Sequence, residues 1–237
     1  MQYVNSDGTA PGLRERKKRA TRAALAEAAV RLAAEHGAEN VTVEAISEAA
    51  GVSPRTFFNY FECHDDAFVM LDPEAGERIR RAVRETPAGP PALAVVRDAL
   101  AVELRDVEGR QEIWGLRAKV LQRSPHLMVR GLGLHIAEEV LLAEAIADRL
   151  CADPARVART AERAGAPADA GEPGPCRPIG TSDLGLYPRL LAAVATTAVR
   201  VAVEHSFAQG RPITFSDIFR RVFDQLAAGL AEPPTGG

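Results

Sequence analysis

Lysine is scarce in this 237-residue chain: of 29 basic residues only Lys17, Lys18 and Lys119 are lysines, which with abundant alanine hints at a GC-rich genome. Aromatic residues make up 5%, so ligand recognition built on many stacking platforms is excluded. Cysteine is limited to Cys63, Cys151 and Cys176, at neither disulfide nor zinc spacing, which argues for a reducing cytoplasm. No apolar run reads as long enough to span a membrane, and the first residues lack a signal-peptide core, so a cytoplasmic protein with no membrane partner is expected. Net charge is only −3, which excludes a general polyanion binder. Strand-like alternation and internal repeats are missing too. There is no G-x-S-x-G elbow, no phosphate-cradling glycine loop and no H-E-x-x-H. His126 and His135 stand nine apart with no metal partner, and Glu138 and Glu139 point in different directions from mid-helix. The chain therefore reads as a non-enzyme, with no catalytic residue, cofactor or metal.

What is present concentrates in residues 42–61, TVEAISEAAGVSPRTFFNYF. Thr42 is a good N-cap, and Val41 before it can pack on Ile46 as a hydrophobic staple. The helix that follows buries Ile46, Ala49 and Ala50 and turns Glu44 and Glu48 outward. Gly51 falls where the chain must leave the helix, a position that favours positive φ. Val52 plugs the angle to a second helix, which Ser53 caps and Pro54 opens. Phe57 and Phe61, four apart, give that helix a buried stripe and leave Arg55, Thr56, Asn59 and Tyr60 on or near its open face. A cation, an amide and two hydroxyls on one face are the groups that read bases and hold phosphates. An αα-hairpin whose glycine and aromatics serve only packing is the competing reading. Against it stands GLRERKKRATR, residues 12–22, where Arg14, Arg16, Lys17, Lys18, Arg19 and Arg22 face a single Glu15. A charge run alone is often a solvated arm; before a helix-turn-helix it is an anchor for phosphates or the minor groove.

The basic arm, a first helix from Ala20 to His36 (apolar at Leu25, Ala29 and Leu32) and the pattern T-V-x-x-I-x-x-x-A-G-V-S-x-x-T-F-F-x-Y-F resemble the TetR/AcrR family of one-component transcriptional regulators. The resemblance covers about the first quarter of the chain. It implies that Thr42, Arg55, Thr56, Asn59 and Tyr60 contact DNA, with Thr56 and Tyr60 mainly on phosphates and Arg55 the leading base reader. Arg16, Lys17, Lys18 and Arg19 add electrostatic anchoring. The family commonly continues Ser-Lys-Glu after the last Phe, with a capping serine and a phosphate-gripping lysine; this chain reads Glu62-Cys63-His64-Asp65-Asp66. Cys63 is a poor cap, and His64, in the lysine's place, is a weaker phosphate ligand near neutral pH.

The expected fold is all-α: a three-helix DNA-binding domain over 13–64 after a disordered tail (1–12), then a larger helical ligand-binding and dimerisation domain over 65–232 and a C-terminal tail (233–237). Residues 65–85 read as a connecting helix with a break near Asp72-Pro73, and TPAGPP (86–91) as a linker. Helices are expected over 92–107, from Gly109 to Arg123, from Pro125 to about Leu150 and from Asp153 to about Ala164. A Gly/Pro-rich loop lies within 164–182, and two helices close the chain at about 183–209 and 214–230.

The last two helices carry wide apolar surface, resembling the family's dimer interface; a homodimer reads two half-sites of an inverted repeat. The middle helices are then expected to enclose an effector, an apolar or amphipathic small molecule, with Trp114, Arg117, Met128, His135 and His205 as candidate lining residues. The function implied is a ligand-responsive regulator, a repressor, released from double-stranded operator DNA by that effector. The second reading is a helical sensor or scaffold whose DNA head has lost affinity at Cys63-His64.

Overall fold

The computed structural model describes residues 13–69, 72–105, 111–152, 184–208 and 214–230. The expected terminal tails, the 164–182 loop and the short helix beginning at Asp153 lie outside the described residues. Among the described residues every regular element is helical. The chain is all-α, an N-terminal helix-turn-helix followed by a larger helical part, and it divides into two compact units.

The first unit holds the described residues up to Pro73 together with Glu112–Gly131. It contains α1 (Leu13–His36), a 3₁₀ turn (Ala38–Asn40), α2 (Val43–Ala49), α3 (Pro54–Phe57), α4 (Asp66–Val69), most of α7 (Gln111–Arg123) and the start of α8 (Pro125–Cys151). One core joins them: Leu25, Ala29, Ile46, Phe57 and Phe68 are fully buried, with Phe61, Val120 and Leu127 in the same cluster. This unit reaches past residue 64, because Ala67 and Phe68 of α4 belong to its core. The expected basic arm is not separate from the first helix, which starts at Leu13 rather than Ala20. Ala49, expected inside, is exposed; Ser47 is the buried neighbour of Ile46.

The second unit comprises Glu74–Gln111 and the described residues from Leu132 onward. It holds α5 (Pro73–Glu85), α6 (Ala92–Glu103), the rest of α8, α9 (Leu186–Ala208) and α10 (Phe215–Ala227). The expected connecting helix is thus two helices, α4 and α5, on either side of residues 70–72, with Pro73 opening the second. Ala192, Ala195, Ala198 and Ala202 form a buried small-residue seam on α9. Phe215, Phe219 and Phe223 on α10 are buried, supply volume, and stack successively with ring centroids 5.9 and 4.7 Å apart. Thr214 caps α10, its hydroxyl oxygen accepting from the Asp217 N–H at 3.1 Å. The 86–91 linker is held by buried Arg149, which donates to the carbonyls of Thr86, Pro87 and Pro90 at 3.1–3.3 Å. One expectation needs correction: Leu186–Ser206 is long and apolar enough to cross a membrane by length and composition, at a mean hydropathy of 1.3. A third of that stretch is buried, the alanine seam included, while Leu186, Leu190 and Val201 are exposed.

Candidate nucleic-acid interface

The turn between α2 and α3 is fixed by caps on both sides. Thr42 Oγ1 accepts from the Ala45 N–H at 3.2 Å and opens α2. At its end, Val52 N–H reaches the Ser47 carbonyl at 2.9 Å and Gly51 N–H that of Glu48 at 3.0 Å, the paired bonds of a Schellman ending. Gly51 has φ 68°, where a Cβ is strained. Ser53 Oγ then accepts from Thr56 N–H at 3.2 Å and lies 2.9 Å from Thr56 Oγ1. α3 is short: after Phe57 the chain tightens, with Asn59 and Tyr60 N–H bonded to the carbonyls three residues back. Phe57 and Phe61, 5.1 Å apart by ring centroid, point inward, while Arg55 and Asn59 are exposed and Thr56 and Tyr60 half-buried.

The basic run of α1 approaches this motif through Arg22. Its guanidinium lies 4.2 Å over the Phe61 ring and donates to the Tyr60 carbonyl. Arg22 is buried and works as a brace, not as the solvent-facing cation its place in the run suggests. Lys18 and Arg19 lie one turn earlier on the same face of α1. Arg16, Lys17 and Lys18 are exposed, and Arg19 pairs with Glu15 at 3.5 Å. Thr42 is exposed, and its hydroxyl oxygen is occupied by the cap.

Below the motif, the Cys63-His64-Asp65-Asp66 departure forms half a capping box. Asp66 Oδ2 accepts the Cys63 N–H at 3.2 Å, while the reciprocal hydroxyl of a serine or threonine is absent. Asp66 is almost fully buried, and Arg130 of α8 grips its other oxygen at 2.6 and 3.0 Å. Burial pushes this carboxyl up, but the Arg130 fork and the N–H groups of Cys63 and Glu62 outweigh it and hold it below the ordinary carboxylate value. His64 is half-buried, its ring edge on Phe68 and Nδ1 3.0 Å from Asp65 Oδ1, with Nε2 lacking a hydrogen-bond partner.

The five candidate effector residues fall in both compact units. Trp114 (half-buried), Arg117 (buried) and Met128 (exposed) belong to the first unit; His135 and His205, both exposed, belong to the second. Arg117 donates from Nε to the Phe68 carbonyl at 2.6 Å, a bond to α4 that no sequence pattern announces. The second unit carries an open groove of about 440 Å³ between α6 and α10, lined in part by Arg97, Leu104, Arg105, Phe219 and Arg220, and by none of the five.

The family model of the bacterial regulatory proteins, tetR family, matches residues 25–63. Over 154 residues the chain is 33% identical to the HTH-type transcriptional regulator TcmR of Streptomyces glaucescens, spanning 62% of this chain and 67% of that one. Among solved structures, a TetR-family transcriptional regulator from Rhodococcus sp. aligns at a TM-score of 0.48 and 16% identity, over 91% of this chain and all of that one. Thermus thermophilus FadR, a TetR-family repressor in complex with lauroyl-CoA, aligns at 0.44 and 17%, over 91% and 99%. The family match falls on the helix-turn-helix and the match to TcmR runs to nearly two thirds of the chain: this protein belongs to the TetR family of bacterial transcriptional regulators.

Proposed function

We propose that this regulator is a repressor that binds an inverted-repeat operator as a homodimer and leaves it when a small molecule binds. In this reading residues 13–64 read DNA and residues 65–232 sense the effector and dimerise. The observation that carries the DNA half is the two-sided recognition helix: Phe57 and Phe61 are locked in the core while Arg55 and Asn59 stand free on the opposite face. Arg55 reads a base edge; Thr42, Thr56 and Tyr60 hold phosphates, and Arg16, Lys17, Lys18 and Arg19 add charge. Dimerisation is supported by apolar groups left in solvent on α9, Leu186, Leu190 and Val201, and by Leu230 just past α10. Two recognition helices related by a two-fold axis then meet successive major grooves.

Effector binding favours a state in which the connecting segment, residues 65–85, has moved and the half-site spacing no longer fits. The effector must bind the two states unequally, with a coupling of about 1–3 kcal/mol. A mobility-shift titration against the protein's own upstream intergenic DNA, at several salt concentrations, tests the reading. A specific complex that weakens steeply with salt is expected. No specific complex at any salt would leave a helical sensor without a DNA role.

A further inference from the structure

Among the described residues, Arg117 is a buried cation without an anion. It sits on α7 with 6% of its surface exposed, and its one hydrogen bond runs from Nε to the neutral carbonyl of Phe68. Nη2 is buried and has no hydrogen-bond partner. Among the described residues no carboxylate stands against it: burial pushes its pKa down, to about 10, so it stays charged at neutral pH. The other buried arginines are not in this state. Arg22 has a carbonyl and a ring face, Arg80 has Glu77 and Glu138, and Arg149 has three carbonyls. A guanidinium taken from water and left with one neutral acceptor is costly, and a buried group left unsatisfied in a native protein calls for a missing partner.

The surroundings say what kind of partner. Along α7 the positions one turn either side of Arg117 are Ile113, Trp114, Val120 and Leu121, all at least half-buried. Arg117 is thus one forked positive donor among apolar neighbours on its own helix. We propose that the effector carries a single anionic group, a carboxylate or its equivalent, on an apolar body, and that this group pairs with Arg117 through Nη2. The proposal rests on the ligand-responsive reading above and names the chemistry of its ligand. It also makes Arg117 a shared group, because the guanidinium that receives the anion already holds the Phe68 carbonyl of α4.

The chain's only tryptophan, Trp114, stands one helical turn from Arg117 and reports binding by its own fluorescence. The full-length protein is titrated with decanoate and, separately, with decanol, which has the same chain, no charge and a stronger hydrophobic drive to bind. Decanoate is expected to bind about tenfold tighter or better, against that drive, because a charge-assisted pair forms. Arg117→Gln should abolish or reverse the preference, and Arg117→Lys, which keeps the charge but not the fork, should retain part of it. Melting curves by circular dichroism establish that each variant is folded. If Arg117→Gln does not fold, the wild-type preference and its reduction in Arg117→Lys decide the question. Equal binding of the two probes, tighter binding of decanol, no binding of either, or a preference that survives Arg117→Gln would overturn the proposal. The titration contains no DNA, so its failure and a failure to bind operator are separate results.

Discussion

Arg55 and Tyr60 lie on one short helix and the turn that ends it, yet are assigned different work, and substitution separates the two. Arg55→Ala is expected to cost about 1–3 kcal/mol of discrimination at particular base pairs, read by comparing operator variants in a binding titration. Tyr60→Phe removes the hydroxyl proposed to hold phosphate and should weaken all operators about equally. If Arg55→Ala also weakened every sequence alike, Arg55 would be a phosphate ligand. Asp66 supports a pH experiment. Its carboxyl is held below the ordinary value of 3.8, so its stabilising contribution is complete above that value and is lost as pH falls through the lower folded value. Asp66→Asn should cost about 1–3 kcal/mol at neutral pH, and the gap from wild type should close as the solution is acidified. A gap unchanged down to about pH 2, below the usual carboxylate range, would mean that Asp66 acts by shape alone. The sequence marks Arg55 as an exposed candidate because its helix is fully patterned. It does not show Arg22 or Arg117, because a cation is assigned to solvent until the partner that buries it is known. For Arg22 that partner is a carbonyl 38 residues away and for Arg117 one 49 away.

At the scale of elements, caps and apolar spacing were readable and lengths were not. Thr42 and Ser53 cap as their residue types dictate, since a cap is a contact within three residues. Gly51 was readable for the same reason, and Gly51→Ala places a Cβ at φ 68°. It should lower stability by about 1 kcal/mol in chemical denaturation and leave the unfolding slope unchanged. A neutral result would mean that the turn relaxes. The connecting segment was harder to read. Asp72-Pro73 marked a break, but the side to which Asp66–Val69 belongs is set by Ala67 and Phe68 packing into the α1 core, a tertiary fact. Close approach decides a second case: a Cβ on Gly76 would collide with the Glu138 carboxylate that pairs with Arg80, and no local pattern marks that glycine.

For the whole molecule the critical quantity is the apolar surface of α9. Leu190 is 56% exposed, so its replacement by a charge disturbs little inside one subunit. Leu190→Asp is expected to shift sedimentation to the monomer and to remove operator binding while leaving the melting of one subunit nearly unchanged; a dimer that persists would move the interface elsewhere. Sequence alone determined the family, the all-α class, the order of nearly all the described helices and the open face of the recognition helix. Each rests on caps, turn residues and a 3.6-residue period, interactions that reach only three or four positions along the chain. Tertiary structure alone decided that Arg22 braces the motif and that Arg130 completes the Asp66 cap. It also decided that α4 joins the helix-turn-helix unit and that Arg117 is buried with no counter-ion among the described residues. Burial and pairing of a charge depend on what other segments bring to it, and that is known only once the chain has folded.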